Sequence, residues 1–88
     1  MTTSATPSSD AVVRRLRRAT GQLAAVARMV EEGRSCDEVV TQMAAVAKAV
    51  NTAAFTMIGL QLRTSLEAGG EDATATADRL QQLFLSLA

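Results

Sequence analysis

The 88-residue chain has no histidine, no tryptophan and no tyrosine, and only one cysteine, one proline and two phenylalanines. Without histidine there is no imidazole to act as a general base or a metal ligand. No motif of paired acids, no glycine-rich phosphate loop and no serine–lysine dyad takes its place, so the chain reads as a non-enzyme without a cofactor. One cysteine cannot close an intrachain disulfide, which fits a reducing compartment. One thiol also cannot build a zinc or copper cage, even with Met29, Met43 and Met57 in the same region. So few aromatic rings argue against stacking on single-stranded nucleic acid. The opening residues, MTTSATPSSD, lack the apolar stretch of a signal peptide. No run approaches the ~20 apolar residues that cross a bilayer. A cytoplasmic protein with no membrane partner is therefore expected.

What the chain has in quantity is alanine, leucine, valine, arginine and glutamine, a helix-forming composition that is 48% hydrophobic. So short a chain buries only a modest share of its surface alone, which favours subunit interfaces. Net charge is zero but unevenly spread. Residues 1–34 set six arginines against Asp10, Glu31 and Glu32, whereas residues 35–88 set Lys48, Arg63 and Arg79 against six acids. That balance disfavours a general polyanion binder and leaves room for a local basic patch.

Along the chain, residues 1–9 read as a disordered arm and 10–88 as one helical domain, with helices over about 10–33, 36–67 and 73–87. Ser9 or Asp10 is expected to cap the first helix. Val12, Leu16, Ala19, Leu23, Val26 and Val30 follow at steps of four and three, the spacing of a helical seam. Gly33 ends that run. Ser35 and Glu38 form a capping-box pattern ahead of a second seam, Val39, Met43, Val46, Val50, Ala53, Met57 and Leu60. Gly69 and Gly70 break the second helix, Asp72 or Thr74 is placed to cap a third, and Ala77, Leu80, Leu83, Phe84 and Leu87 give that helix an apolar face. The short link at Gly33–Arg34 requires an antiparallel hairpin. Two such hairpins close a four-helix bundle. The expected architecture is all-α: a hairpin plus a short third helix, dimerising as a four-helix bundle and assembling to a tetramer.

Two features carry chemistry. Arg14, Arg15, Arg17 and Arg18 cover an arc of roughly 160° on the side of the first helix away from its seam. Guanidiniums so placed grip phosphates with paired donors; the plainer reading is a solvated charged face. Cys36 lies in the first turn of the second helix. There the helix dipole favours a reactive thiol, while Glu32, Asp37 and Glu38 work against it. A small buried hydrophobe is the plainer reading.

The run RRLRRATGQLAAVARMVEEGRSCDEVVTQMAAVAKAV resembles the CsoR/RcnR family of copper-sensitive operon repressors. The likeness spans about residues 12–68 and rests on the Arg–Leu pair, Gly21-Gln22, Arg28-Met29-Val30-Glu31, Cys36, Gln42 and Ala45-Val46. It implies a three-helix chain in disc-shaped tetramers that binds operator DNA and releases it when a signal occupies an intersubunit site. In the family that site takes a cysteine at the start of the second helix and, from the partner chain, a histidine and a cysteine four residues apart. Cys36 matches the first, but Gln61 and Ser65 stand at the others. The effector site is thus placed at Cys36, Gln61 and Ser65, without a competent Cu(I), Ni or Co site. Residues 36 and 61 lie roughly 37 Å apart along one helix, so they meet only across an antiparallel dimer. For DNA contact the resemblance points to Arg15, with Arg14, Arg17 and Arg18 beside it. On the second helix an often-basic position is Thr52 here, with Lys48 one turn earlier. The family's formaldehyde sensors use a proline next to Met1, where this chain has Thr2, and its persulfide sensors use a second cysteine, which this chain lacks.

The reading that follows is a repressor of double-stranded operator DNA that answers a thiol-reactive effector through Cys36. The alternative is a helical interaction module that pairs with a sister repressor and does not bind DNA itself.

Overall fold

A computed structural model describes residues 8–69 and 73–87. They form three α-helices, α1 (Ser9–Glu31), α2 (Cys36–Ala68) and α3 (Ala73–Ser86), with no strand among the described residues. The expected all-α chain of a hairpin and a short third helix is what is observed. The N-terminal arm through residue 7, and Gly70 and Asp72 with their expected breaking and capping roles, lie outside the described residues.

The helix ends follow from local chemistry. Ser8, rather than Ser9 or Asp10, caps α1: its Oγ accepts the Ala11 N–H at 3.3 Å. This leaves Asp10 in the first turn, where the helix dipole favours an acid. At the other end α1 stops at Glu31, two residues short of expectation. Gly33 takes φ 75° and closes a Schellman turn, its N–H bonding to the Val30 carbonyl at 3.1 Å and the Arg34 N–H to the Met29 carbonyl at 3.0 Å. Ser35 then caps α2 by accepting the Glu38 N–H at 3.2 Å. Gly69, at φ 70°, ends α2 by donating to the Ser65 carbonyl.

The reversal lays α1 antiparallel on α2, and small side chains hold the two together. Val12, Ala19 and Val26 are 3–5% exposed, and Val46 and Ala53 are 8% and 2% exposed. Each set repeats every seven residues, the period that keeps one ridge facing a partner helix. The alternate seam positions do not join this core. Leu16, Leu23 and Val30 are 41–60% exposed, and Met43, Val50 and Met57 are 43–50% exposed. The sequence reading merged two ridges that the structure separates. At about 100° per residue they stand some 40–60° apart on each helix. A two-helix contact covers one ridge, and the other waits for a second layer. The chain is only 15 Å thick across its shortest axis, and its radius of gyration is 17.1 Å, against about 12 Å for a compact globule of this length.

Among the described residues α3 packs on α2 and makes no comparable contact with α1. Leu80 is buried, Ala77 and Leu87 are half-buried, and the Phe84 ring lies 5.0 Å from Phe55 at 44°. Leu83 is 45% exposed. One expectation is corrected: α2 is long and apolar enough, by length and hydropathy, to span a membrane. Its alanines, valines, methionines, isoleucine and leucines raise the mean hydropathy, although polar and charged residues interrupt every apolar run. Its apolar surface serves contacts with α1 and α3 on some sides and lies open on the rest.

A Cβ at Gly21 or Gly33 would meet nothing within 4 Å, so substitution there tests backbone conformation alone. In urea unfolding at fixed chain concentration, Gly33→Ala is expected to destabilise by about 1–2 kcal/mol, because the residue needs φ > 0. Gly21→Ala, within α1, is expected to stabilise by about 0.5–1 kcal/mol. Equal effects would contradict the Schellman assignment.

Candidate nucleic-acid interface and signal site

The hairpin presents two unlike flanks along the groove between α1 and α2. On one, Val12, Leu16, Val50, Ala53, Ala54 and Met57 line an apolar hollow of about 180 Å³. On the other, Arg15, Arg18, Gln22, Ala49 and Thr52 line a hollow of about 250 Å³. The division follows from the helix period. Arg15, Arg18 and Gln22 recur at steps of three and four on one side of the Val12–Ala19–Val26 ridge, and Leu16 and Leu23 do so on the other.

The sequence-predicted basic residues are thus partly gathered. Arg15 and Arg18 come together beside Thr52. Arg14 and Arg17 are exposed and lie further round α1. Lys48 is exposed and outside the hollow's lining, and its carbonyl accepts the Thr52 hydroxyl at 2.9 Å. That bond turns the hydroxyl back onto its own helix. Sequence reasoning did not single out Gln22 for this flank; the available signal was its position one turn after Arg18. Neither Arg15 nor Arg18 forms an ion pair among the described residues.

Cys36 is the first residue of α2 and is exposed. A small buried hydrophobe therefore does not describe it in the single chain. Gln61 is exposed and Ser65 half-buried. Within one chain neither meets Cys36, because all three lie on one unbroken helix, with Gln61 and Ser65 many turns beyond Cys36. All three point to the side of α2 that carries Met43, Val50 and Met57, within roughly 80° of one another. Gln61 also borders a hollow shared with Arg79, Leu80 and Leu83 of α3, a neighbour that no spacing rule revealed. No group of three or more His, Cys, Asp or Glu side chains converges among the described residues.

Next to Cys36 stands the one ion pair among the described residues, Arg34 to Glu38 at 2.5 Å. The Ser35 hydroxyl donates to the other carboxylate oxygen at 3.1 Å. The Arg34 hydrogen bond first, then the one from Ser35, hold the Glu38 carboxyl below the usual carboxylate range. The same bond and the Glu38 charge keep the Arg34 guanidinium protonated still more firmly.

The described residues thus form a helical hairpin with one basic and one apolar flank. The chain belongs to the metal-sensitive transcriptional repressor family, whose model matches residues 8–86. It is 40% identical over 53 residues to the copper-sensing transcriptional repressor RicR of Mycobacterium tuberculosis (strain ATCC 25618 / H37Rv), a match covering 60% of this chain and 55% of that protein. The chain thus spans about half the length of the curated relative it matches. No solved structure matches it. Members of the family are transcriptional repressors and not enzymes.

The depressed Glu38 carboxyl sets a pH dependence. Its contribution to stability is fully present above its ordinary value near 4.5 and is lost as pH falls through the lowered folded-state value. Wild type is expected to exceed Glu38→Gln in urea unfolding at neutral pH, with the gap closing in strong acid and narrowing with added salt. A gap unchanged from pH 7 to pH 2 would show that the pair contributes nothing through charge.

Proposed function

We propose that this chain is a cytoplasmic, operator-binding repressor that works as a homotetramer and no longer senses copper, nickel or cobalt. In this reading residues 10–88 belong to one helical domain, whose first helix begins at Ser9 with its Ser8 cap. The observation that carries it is the basic flank: Arg15 and Arg18 share one hollow with Gln22 and Thr52, and neither has an ion-pair partner among the described residues. Arg14 and Arg17 extend the positive surface round α1, and Lys48 adds a cation on α2. Each guanidinium can hold a backbone phosphate of double-stranded DNA.

Self-association follows from the uncovered ridge. Met43, Val50 and Met57 read alike in both directions about Val50, so two α2 helices can pair antiparallel with Met43 of each against Met57 of the other. That register sets Cys36 of one copy opposite residues 61–65 of the second. The donors gathered there would be one thiol, an amide and a hydroxyl. Amide and hydroxyl oxygens are hard and weak ligands for Cu(I), and cobalt or nickel would find no imidazole. The copper sensing in RicR's name is accordingly not carried over. The exposed Cys36 thiol remains as the point at which an electrophile or oxidant can act. A second reading is favoured by Thr52, which brings no charge to the α2 side of the basic hollow. In that reading the chain pairs with a sister repressor that supplies the DNA contact. Co-purification of such a partner, together with no DNA binding by the chain alone, would select it.

Fluorescence anisotropy with the promoter duplex flanking its own gene is the direct test. The wild type, sedimenting as a tetramer, is expected to bind at low salt. Arg15→Ala should bind more weakly and flatten the slope of log K against log salt by about 0.9 for each phosphate contact removed. No wild-type binding at low salt would sink the repressor reading. Aldehyde, persulfide or peroxide treatment, with mass spectrometry of Cys36, is expected to lower wild-type affinity and to leave Cys36→Ala unaffected. Modification of Cys36 with unchanged affinity would remove it as the sensor.

A further inference from the structure

We propose that Gln22 is the residue with which this chain reads a base edge of its operator, at an A·T pair met in the major groove. The inference rests on the DNA-binding reading and adds to it a source of sequence discrimination. Phosphate contacts fix where a protein lies on a duplex but carry no sequence information directly, which comes from base edges and from duplex shape. The hollow that gathers Arg15 and Arg18 has three further lining residues, Gln22, Ala49 and Thr52. Ala49 offers only a methyl group, and the Thr52 hydroxyl donates back to the Lys48 carbonyl at 2.9 Å. That leaves Gln22, exposed on α1, as the neutral lining residue whose amide presents a donor and an acceptor side by side.

The chemistry of these side chains divides the work. A phosphate oxygen only accepts, and the charged forks of Arg15 and Arg18 outcompete an amide for it. An amide that donates and accepts matches adenine, which shows N7 as acceptor and its N6 amino group as donor in the major groove. Gln22 lies about 6 Å beyond Arg18 along α1, so phosphates held by the arginines bring the adjoining base edges to it. Approach is open at this point. A Cβ at Gly21 would meet nothing within 4 Å, so no contact inside the chain requires a glycine there, although glycine weakens a helix interior. The missing side chain lets a second backbone come close beside Gln22. The hollow also stays open in the proposed assembly. It lies on the flank opposite the apolar hollow of Leu16, Val50 and Met57, away from the ridge that pairs with a second copy.

The experiment titrates the full chain against the promoter duplex, against copies of it in which each A·T pair in turn becomes G·C, and against an unrelated duplex. Wild type is expected to prefer the promoter, and at least one A·T change should weaken binding about tenfold. In Gln22→Ala promoter affinity should fall about tenfold, and that same base change should cost nothing further. Its binding to the unrelated duplex and its salt slope should be unchanged, because no charge has been removed. Arg15→Ala, by contrast, should weaken both duplexes and flatten the slope. Alanine is a good helix former, and circular dichroism verifies the variant's fold. If every base change costs Gln22→Ala what it costs wild type, or if the variant loses affinity for both duplexes alike, the proposal is overturned and operator binding stands. A wild type that does not distinguish the promoter from the unrelated duplex overturns it as well. A wild type that binds neither at low salt overturns the DNA-binding reading and this inference together.

Discussion

Everything in this chain depends on how two helices of small residues touch. Val12, Ala19 and Val26 of α1 and Val46 and Ala53 of α2 are the buried positions of the hairpin, and none is larger than valine. Such side chains let the helices approach closely but supply little volume to fill. Each buried valine is worth about 1.5–3 kcal/mol of transfer free energy and each alanine much less. A one-layer hairpin of this kind therefore gains little from its own core. Leu16, Leu23, Met43 and Met57, which are larger, sit with Val50 on the neighbouring ridge and remain open. Much of the apolar surface of α1 and α2 therefore lies outside the hairpin's own core.

The same contact builds both flanks of the hairpin. The basic hollow at Arg15, Arg18 and Thr52 and the apolar hollow at Leu16, Val50 and Met57 lie on opposite edges of one groove. Both are built from α1 and α2, so neither can change shape without altering the register or separation of those helices. In the proposed assembly Cys36, Gln61 and Ser65 belong to the apolar edge. A chemical event at the thiol would reach the guanidiniums by shifting how α1 lies on α2 rather than through any long chain of side chains.

In the proposed assembly Gln61 and Ser65 stand where the family resemblance implies a histidine and a cysteine, a difference in what that edge can recognise more than in its shape. The helix still runs unbroken through both positions. Beside Gln61, Arg79 and apolar side chains of α2 and α3 line a shared hollow.

By itself the amino-acid order determined the three helices, their stops at Gly33 and Gly69, the antiparallel turn and the all-α class. These depend on caps, breakers and periodicity that act within a few residues. It also determined the chemical limits, because a chain with no histidine and one cysteine has few ligands or bases to offer. Only the tertiary structure decided which half of each seam is core and which is surface. Steps of four and three mark both ridges equally, and only the presence or absence of a second helix distinguishes them. It likewise decided that Arg15 and Arg18 share a hollow with Thr52, and Arg79 with Gln61. Those partners come from different helices, and their approach is set by packing between helices, which no local spacing encodes.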